Sequence, residues 1–295
     1  MNNYKLGTTE KVFNGINYLL LLLLCFVTVY PFWYVFMYSI SDGMITAAKP
    51  VIFLPIHPTL DNYKAVFANT GLMSAFIVSV SRTVLGTVAH VLVVSLAAYA
   101  LAKKDLVGKK WIMMFFIITM YFNGGLLPTY VIITKLKLTN NFLVYILPML
   151  FNGFHMLIMK VFFEQLPISL EESARIDGAT DIQIFTRIIL PMCKPIIATV
   201  SLFIGVIQWN SWFDAFLYMT KTELYPLQTI LQKIILQSQT NTLIEIMEAM
   251  NKQSSVTSEA IKMATVVVAT VPILMVYPFM QKYFVKGMMI GAVKQ

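Results

Sequence analysis

Long apolar stretches alternate with short polar ones along this chain, and the apolar lengths are those of helices that cross a bilayer. About 20 predominantly apolar residues cover a hydrocarbon layer about 30 Å thick. Leu19–Cys25 and Ile112–Thr119 are unbroken apolar blocks, unlike the alternating segments of a transmembrane β-barrel. Apolar length and flanking polar residues place six helices, at 15–40, 73–102, 111–127, 141–162, 194–217 and 258–284. The third is short. Trp111 to Phe122 reaches only about 18 Å at 1.5 Å per residue before Asn123-Gly124-Gly125, so it is expected to continue through Leu127 and stop at Pro128. The amphipathic stretch Thr129 to Leu138 then reads as a short interfacial helix. Pro148 with Asn152-Gly153, and Pro272, mark expected kinks.

The fold class is an all-α polytopic membrane protein, with a tail at 1–14, a six-helix membrane domain at 15–284 and a second tail at 285–295. Composition agrees: 58% of residues are hydrophobic and 12% charged, against roughly 45–50% and 25% in a soluble domain. Met1 to Gly15 is polar and leads into an apolar run without an A-x-A cleavage site, which reads as a retained first span. The two cysteines, Cys25 and Cys193, form no CxxC pair and fall on opposite sides of the expected topology, as free thiols.

Charge orients the bundle. The N-terminal tail, the 103–110 loop, the 160–194 segment and the C-terminus carry 13 lysines and arginines, with Lys103, Lys104, Lys109 and Lys110 close together. The opposite loops carry 8, and Arg82 lies inside a span. Net charge is +6 on the first side and +1 on the second, so both termini are expected in the cytoplasm of a cell-membrane protein. The overall +8 sits in membrane-flanking loops, where anionic lipid explains it, and nucleic-acid binding is excluded. Two outer connections are long: 41–72, with Pro50, Pro55 and Pro58, and the polar 218–257, with a short helix expected at Leu243–Met250 that could reach a partner above the membrane. No internal repeat is evident.

The cytoplasmic connection 163–193 carries structure of its own. Ser169 followed by Glu172 matches a capping box, which starts one helix at Ser169. Gly178 can close it in the left-handed conformation, and Thr180 with Gln183 repeats the capping pattern for a second helix that Pro191 should end. A hairpin of two helices results, with Ile176, Ile182, Phe185 and Ile189 as an apolar face. It either packs on its own bundle or inserts into a partner's groove.

Glu172-Ser173-Ala174, then Gly178, then Ile188, Leu190 and Pro191 resembles the EAA motif of ABC importer permeases, with Ser173 in place of the usual alanine. Leu170-Glu171 and Asp177-Gly178-Ala179 match its fuller form in carbohydrate importers. Tyr30-Pro31-Phe32-Trp33, Trp209-Asn210, Tyr225-Pro226-Leu227-Gln228, Tyr277-Pro278-Phe279, Lys286-Gly287 and Gly291-Ala292-Val293-Lys294 extend the likeness to the maltose-type family and its branch for complex oligosaccharides and polysaccharide fragments. The resemblance implies a type I importer permease. It implies docking of an ATPase subunit through Glu171, Glu172, Ser173, Ala174, Asp177, Gly178, Ala179, Ile188, Leu190 and Pro191. It also implies a related second permease subunit, two ATPase subunits and an extracellular sugar-binding protein. ATP and Mg would be used by the partner ATPase, with no cofactor bound by this chain.

Polar residues inside spans need partners or water. Arg82 either lines a path or pairs structurally, and His90 on the same helix is either a packing residue or takes part in transport. Gln208, Trp209, Asn210, Trp212 and Asp214 crowd the outer half of the fifth span. Aromatic faces beside amides and a carboxylate suit sugar rings, while an interfacial aromatic belt is the alternative. There is no G-x-x-x-x-G-K-[ST], HExxH or GxSxG, so ATP hydrolysis or other catalysis is not expected of this chain. An ion-coupled secondary transporter, the physical alternative, would call for mid-membrane acids and an inverted repeat.

Overall fold

The computed structural model describes residues 7–68, 70–122, 124–238 and 256–292. Among them it is helical, without strands. In chain order the helices are α1 (Thr8–Ser39), α2 (Gly43–Ala48), α3 (Asp61–Ala68), α4 (Thr70–Ala102), α5 (Lys109–Tyr121), α6 (Leu126–Lys135) and α7 (Gly153–Phe163). They continue as α8 (Ile168–Ile176), α9 (Asp181–Ile184), α10 (Leu190–Met192), α11 (Lys194–Asn210), α12 (Phe213–Tyr218), α13 (Leu227–Ser238) and α14 (Ser258–Ala292). The residues divide into two compact units, one within Met1–Asn69 and Ile234–Thr270, the other within Thr70–Lys233 and Val271–Gln295.

In the first unit, α1 is apolar around its circumference and almost wholly exposed, as a helix meant for lipid should be. Its C-terminal end is stitched to the following segment. Buried Asn62 donates to the carbonyls of Ser39 and Ser41 at 2.9 and 2.8 Å, and the Ile56 amide donates to Ser41 Oγ at 3.0 Å. Trp33 Nε1 donates to the Phe53 carbonyl at 2.9 Å.

The second unit is built around α4, which packs chiefly on α11 and α7. Close approach is possible because small residues meet there: a Cβ on Gly205 would lie 3.5 Å from Thr87 Oγ1. Val94, Ala98, Met156, Met159 and Val200 fill the core at one end of the helices, together with Ile184, Phe185 and Ile189. Val78, Val144, Tyr145, Ala215 and Tyr218 fill it at the other.

Among the described residues, three helices are long and apolar enough to span a membrane: Thr8–Ser39, Gly71–Ala102 and Ser258–Pro278. Three bent pairs would bring the number to six: Lys109–Tyr121 with Leu126–Lys135, Phe142–Met149 with Gly153–Phe163, and Asp181–Met192 with Lys194–Asn210. Several expected boundaries move. The third apolar run stops at Tyr121, and a new helix starts at Leu126 after Gly125 at φ 83°. Pro128 therefore opens α6 instead of ending the third span, because in a first turn its missing N–H costs no helical bond. The 141–162 run bends by 51° between the 3₁₀ turns that contain Pro148 and a helix capped by Asn152, whose Oδ1 accepts from the His155 amide at 3.1 Å. The fifth run, expected as one helix over 194–217, breaks at Ser211-Trp212. α14 is helical without a break through Pro272 and Pro278 to Ala292. The expected helix at Leu243–Met250 and the end of the Gly291–Lys294 match lie outside the described residues.

Candidate functional site

Two clusters of the second unit hold the residues singled out above, and the hairpin is the first. Its opening helix begins at Ile168, with Pro167 in the extended N-cap conformation (ψ 125°) and its carbonyl accepting from Leu170 at 3.2 Å. Ser169 thus lies inside the first turn and forms no capping box with Glu172, a correction to the sequence reading. Proline provides the N-cap backbone geometry without a side-chain bond. The turn that follows is a Schellman closure: Gly178 sits at φ 80°, its amide donates to the Arg175 carbonyl at 3.0 Å, and the Ala179 amide donates to Ala174 at 2.9 Å. Thr180 and Gln183 do form a reciprocal capping box, with the Thr180 amide 2.8 Å from Gln183 Oε1 and the Gln183 amide 3.4 Å from Thr180 Oγ1.

The second helix does not end before Pro191. It widens into a π turn at Phe185–Ile189, where the Leu190 amide bonds Phe185, and passes through Pro191 to Met192. The wide turn changes the bonding register just ahead of the residue that has no N–H to give.

Burial divides the hairpin. Ala174, Ile184, Phe185 and Ile189 are buried against α4 and α7, while Ile188, Leu190, Ala179 and Glu171 are half-buried. Glu172, Ser173, Asp177, Gly178 and Pro191 are exposed. The four apolar residues expected to share one face are parted: Phe185 and Ile189 turn inward, whereas Ile176 and Ile182 are 87% and 74% exposed at the tip. The helical repeat is interrupted between them at Gly178 and again by the π turn.

The second cluster is centred on Arg82, which has no exposed surface. Its five N–H groups are all used. Nε and Nη2 donate to Gln208 Oε1, each at 3.2 Å; Nη1 donates to the Ser211 carbonyl at 3.1 Å and Asp214 Oδ1 at 3.2 Å; Nη2 donates to Asp214 Oδ2 at 2.5 Å. The guanidinium carbon lies 4.3 Å from the centre of the Tyr145 ring. Gln208 Nε2 donates to the Tyr145 carbonyl at 3.0 Å. Arg82 is thus paired within the chain, and it fastens α4 to α11, to the Ser211 break and to α12. Gly86 makes room, since a Cβ there would fall 2.5 Å from Gln208 Nε2.

Trp209 is buried, edge-on to Phe76 at 6.3 Å. Asn210 is exposed, with Oδ1 3.4 Å from Gln228 Nε2, and half-buried Trp212 stands among exposed Phe213 and Phe216. His90 is not alone. The Met149 carbonyl, 2.6 Å from its Nδ1, can only accept, so Nε2 is the acceptor and His155 Nδ1 donates to it at 2.8 Å. Neither Tyr145 nor His155 is marked as a partner by its neighbours in the sequence, and Gly86 shows only as a glycine inside an apolar span.

No protein-family model matches the chain. It is 38% identical to the polygalacturonan/rhamnogalacturonan transport system permease protein YtcP of Bacillus subtilis (strain 168), over 97% of this chain and 99% of the relative. It is 41% identical to Protein LplC of the same organism, over 100% of this chain and 98% of that one. Among solved structures it matches a chain of a bacterial ABC transporter involved in the import of the acidic polysaccharide alginate, with TM-score 0.89 and 30% identity, covering 96% of this chain and all of that chain. The chain therefore belongs to the permease family of sugar and polysaccharide ABC transport systems.

Proposed function

We propose that this permease forms half of the translocation path of an ATP-driven, binding-protein-dependent importer of oligosaccharides or polysaccharide fragments. A related second permease forms the other half, two ATPase subunits supply ATP hydrolysis with Mg, and an extracellular sugar-binding protein delivers cargo. The chain crosses the cell membrane six times, each bent pair counting as one span, with both termini in the cytoplasm. The observation that carries the reading is the α8–α9 hairpin. Its inward side chains anchor it to the bundle, while Ile176 and Ile182 stay exposed in a segment rich in charge, where lipid cannot cover them. That is the form of a knob for a groove in the ATPase, presented by Glu172, Ser173, Asp177 and Gly178.

The cargo class is supported by the names of a relative and of a solved structure, which concern polygalacturonan/rhamnogalacturonan and the acidic polysaccharide alginate. On this chain Trp212 with Phe213, Phe216, Asn210 and Gln228 offers ring faces beside amides at the break after α11. Trp209, Arg82, Gln208 and Asp214 hold the wall behind them. Closure of the ATPases displaces the hairpins and rocks α4, α7 and α11 as a packed group. The test is purification of the tagged permease in mild detergent, followed by reconstitution and uptake of polygalacturonan fragments. Co-purification of an ATPase and a second permease, with uptake that needs ATP and the binding protein, is expected. A folded permease recovered without an ATPase would overturn the reading.

A further inference from the structure

Lys103 was counted in the sequence only as a membrane-flanking positive charge. In the structure it stands where three helix ends meet. It follows the last residue of α4, where unpaired carbonyls favour a cation. Its ammonium donates to the Glu171 carboxylate in the first turn of α8 and lies 3.9 Å from Asp181 Oδ1 in the first turn of α9. Acids at helix N-termini are favourably placed on their own account, so one lysine joins complementary ends of all three helices. Burial alone would lower the Lys103 pKa, but the bonds to Glu171 and Tyr99 and the charge of Glu171 outweigh this, and the net shift is upward. Arg175 closes the arrangement by bonding Asp181 at 3.1 Å, across the turn of the hairpin.

The hairpin joins the bundle covalently at both ends, from α7 and into α11, and through the apolar contacts of Ala174, Ile184, Phe185 and Ile189. Its exit into α11 runs through the π turn, Pro191 and the 82° bend at Cys193, so it contains the interruptions that let a helix yield. A polar link runs through Lys103 into α4, which continues unbroken past His90 to Arg82, about 32 Å away at 1.5 Å per residue. At that end Arg82 grips Gln208 and Asp214, on either side of the break in the fifth apolar run, and the Ser211 carbonyl within it.

We propose that Lys103 is the positioning residue that couples the hairpin to the path: it locks both hairpin helices to the end of α4, so that a displacement at the hairpin reaches the Arg82 clamp. This rests on the reading of the hairpin as the ATPase dock.

The test uses the whole importer in proteoliposomes, with its binding protein and polygalacturonan fragments as cargo, and measures ATP hydrolysed and sugar imported in the same vesicles. Lys103→Met should assemble with its ATPase subunits and hydrolyse ATP, yet import about fivefold less sugar per ATP or lower still. Lys103→Arg, which keeps the charge and the donors, should restore most of the ratio. An unchanged ratio in Lys103→Met would overturn this proposal alone, as would loss of assembly in that variant, which would make the lysine a folding residue. Absence of ATP-driven import by the unaltered complex would overturn the dock and this proposal together.

Discussion

Arg82 is a residue whose surroundings decide its meaning. A charge in the middle of an apolar helix invites a transport role, but a guanidinium with all five donors bonded within its own chain has none left for cargo. Removing one partner of such a buried pair costs far more than the pair contributes, because the remaining charge is stranded. Asp214→Ala should therefore destabilise the folded permease by about 3–5 kcal/mol, read as a lower melting midpoint in detergent. Replacing Arg82 and Asp214 together by apolar residues should recover most of the loss. Gly86→Ala tests the same clamp from behind. The added methyl displaces Gln208, which holds Arg82 and the Tyr145 carbonyl, at an expected cost of about 1–3 kcal/mol.

Among the elements, the hairpin shows how local chemistry and packing share the work. Gly178→Ala meets nothing within 4 Å, so its effect is backbone strain at φ 80° alone; about 1–2 kcal/mol is expected, with weaker recovery of the ATPase in co-purification. Gly178→Pro, which also removes the bond to Arg175, should abolish coupled uptake.

The neighbouring α5 begins with Lys109, at the helix end least favourable for a cation. Glu164 compensates by accepting from Lys109 at 3.3 Å and from Lys160 at 2.8 Å. Burial would raise the Glu164 pKa, but these two bonds hold it below the ordinary carboxylate value. A carboxylate lowered in the folded state stabilises at neutral pH, and that contribution fades as pH falls through its folded pKa. Glu164→Gln should therefore lower stability at neutral pH and flatten the acid limb of a stability-against-pH profile, the two proteins converging at low pH.

For the molecule as a whole, the proposed function requires one orientation, with the hairpin on the ATPase side and the aromatic break on the cargo side. With exposed Cys25 replaced by alanine, a cysteine at Ser173 should react with an impermeant maleimide only in inside-out vesicles, and one at Lys221 only in right-side-out cells. The reverse pattern would invert the topology.

Much of this architecture is legible in the sequence because it follows from local or additive physics. Apolar length picks out α1, α4 and α14 with no partner needed, lysine and arginine placement sets the expected orientation, and Gly178 with Thr180 and Gln183 writes the hairpin turn within a few residues. The failures share a cause as well. Pro128 and Pro191 look alike as helix ends and Ser211-Trp212 carries no interruption signal, yet the first opens a helix, the second is absorbed by a π turn and the third is a true break. The outcome depends on which neighbours satisfy the freed backbone groups. The role of Lys103 and the withdrawal of Arg82 into a clamp rest on contacts between residues far apart in the chain, 68 residues for Lys103 with Glu171 and 132 for Arg82 with Asp214. The sequence by itself determined the class of protein, its long apolar helices and the turn of its hairpin, since hydrophobicity and capping act over one or two turns. Only the tertiary structure decided which charges are spent inside the bundle and which remain for a partner, because buried charges are settled by what packing brings beside them.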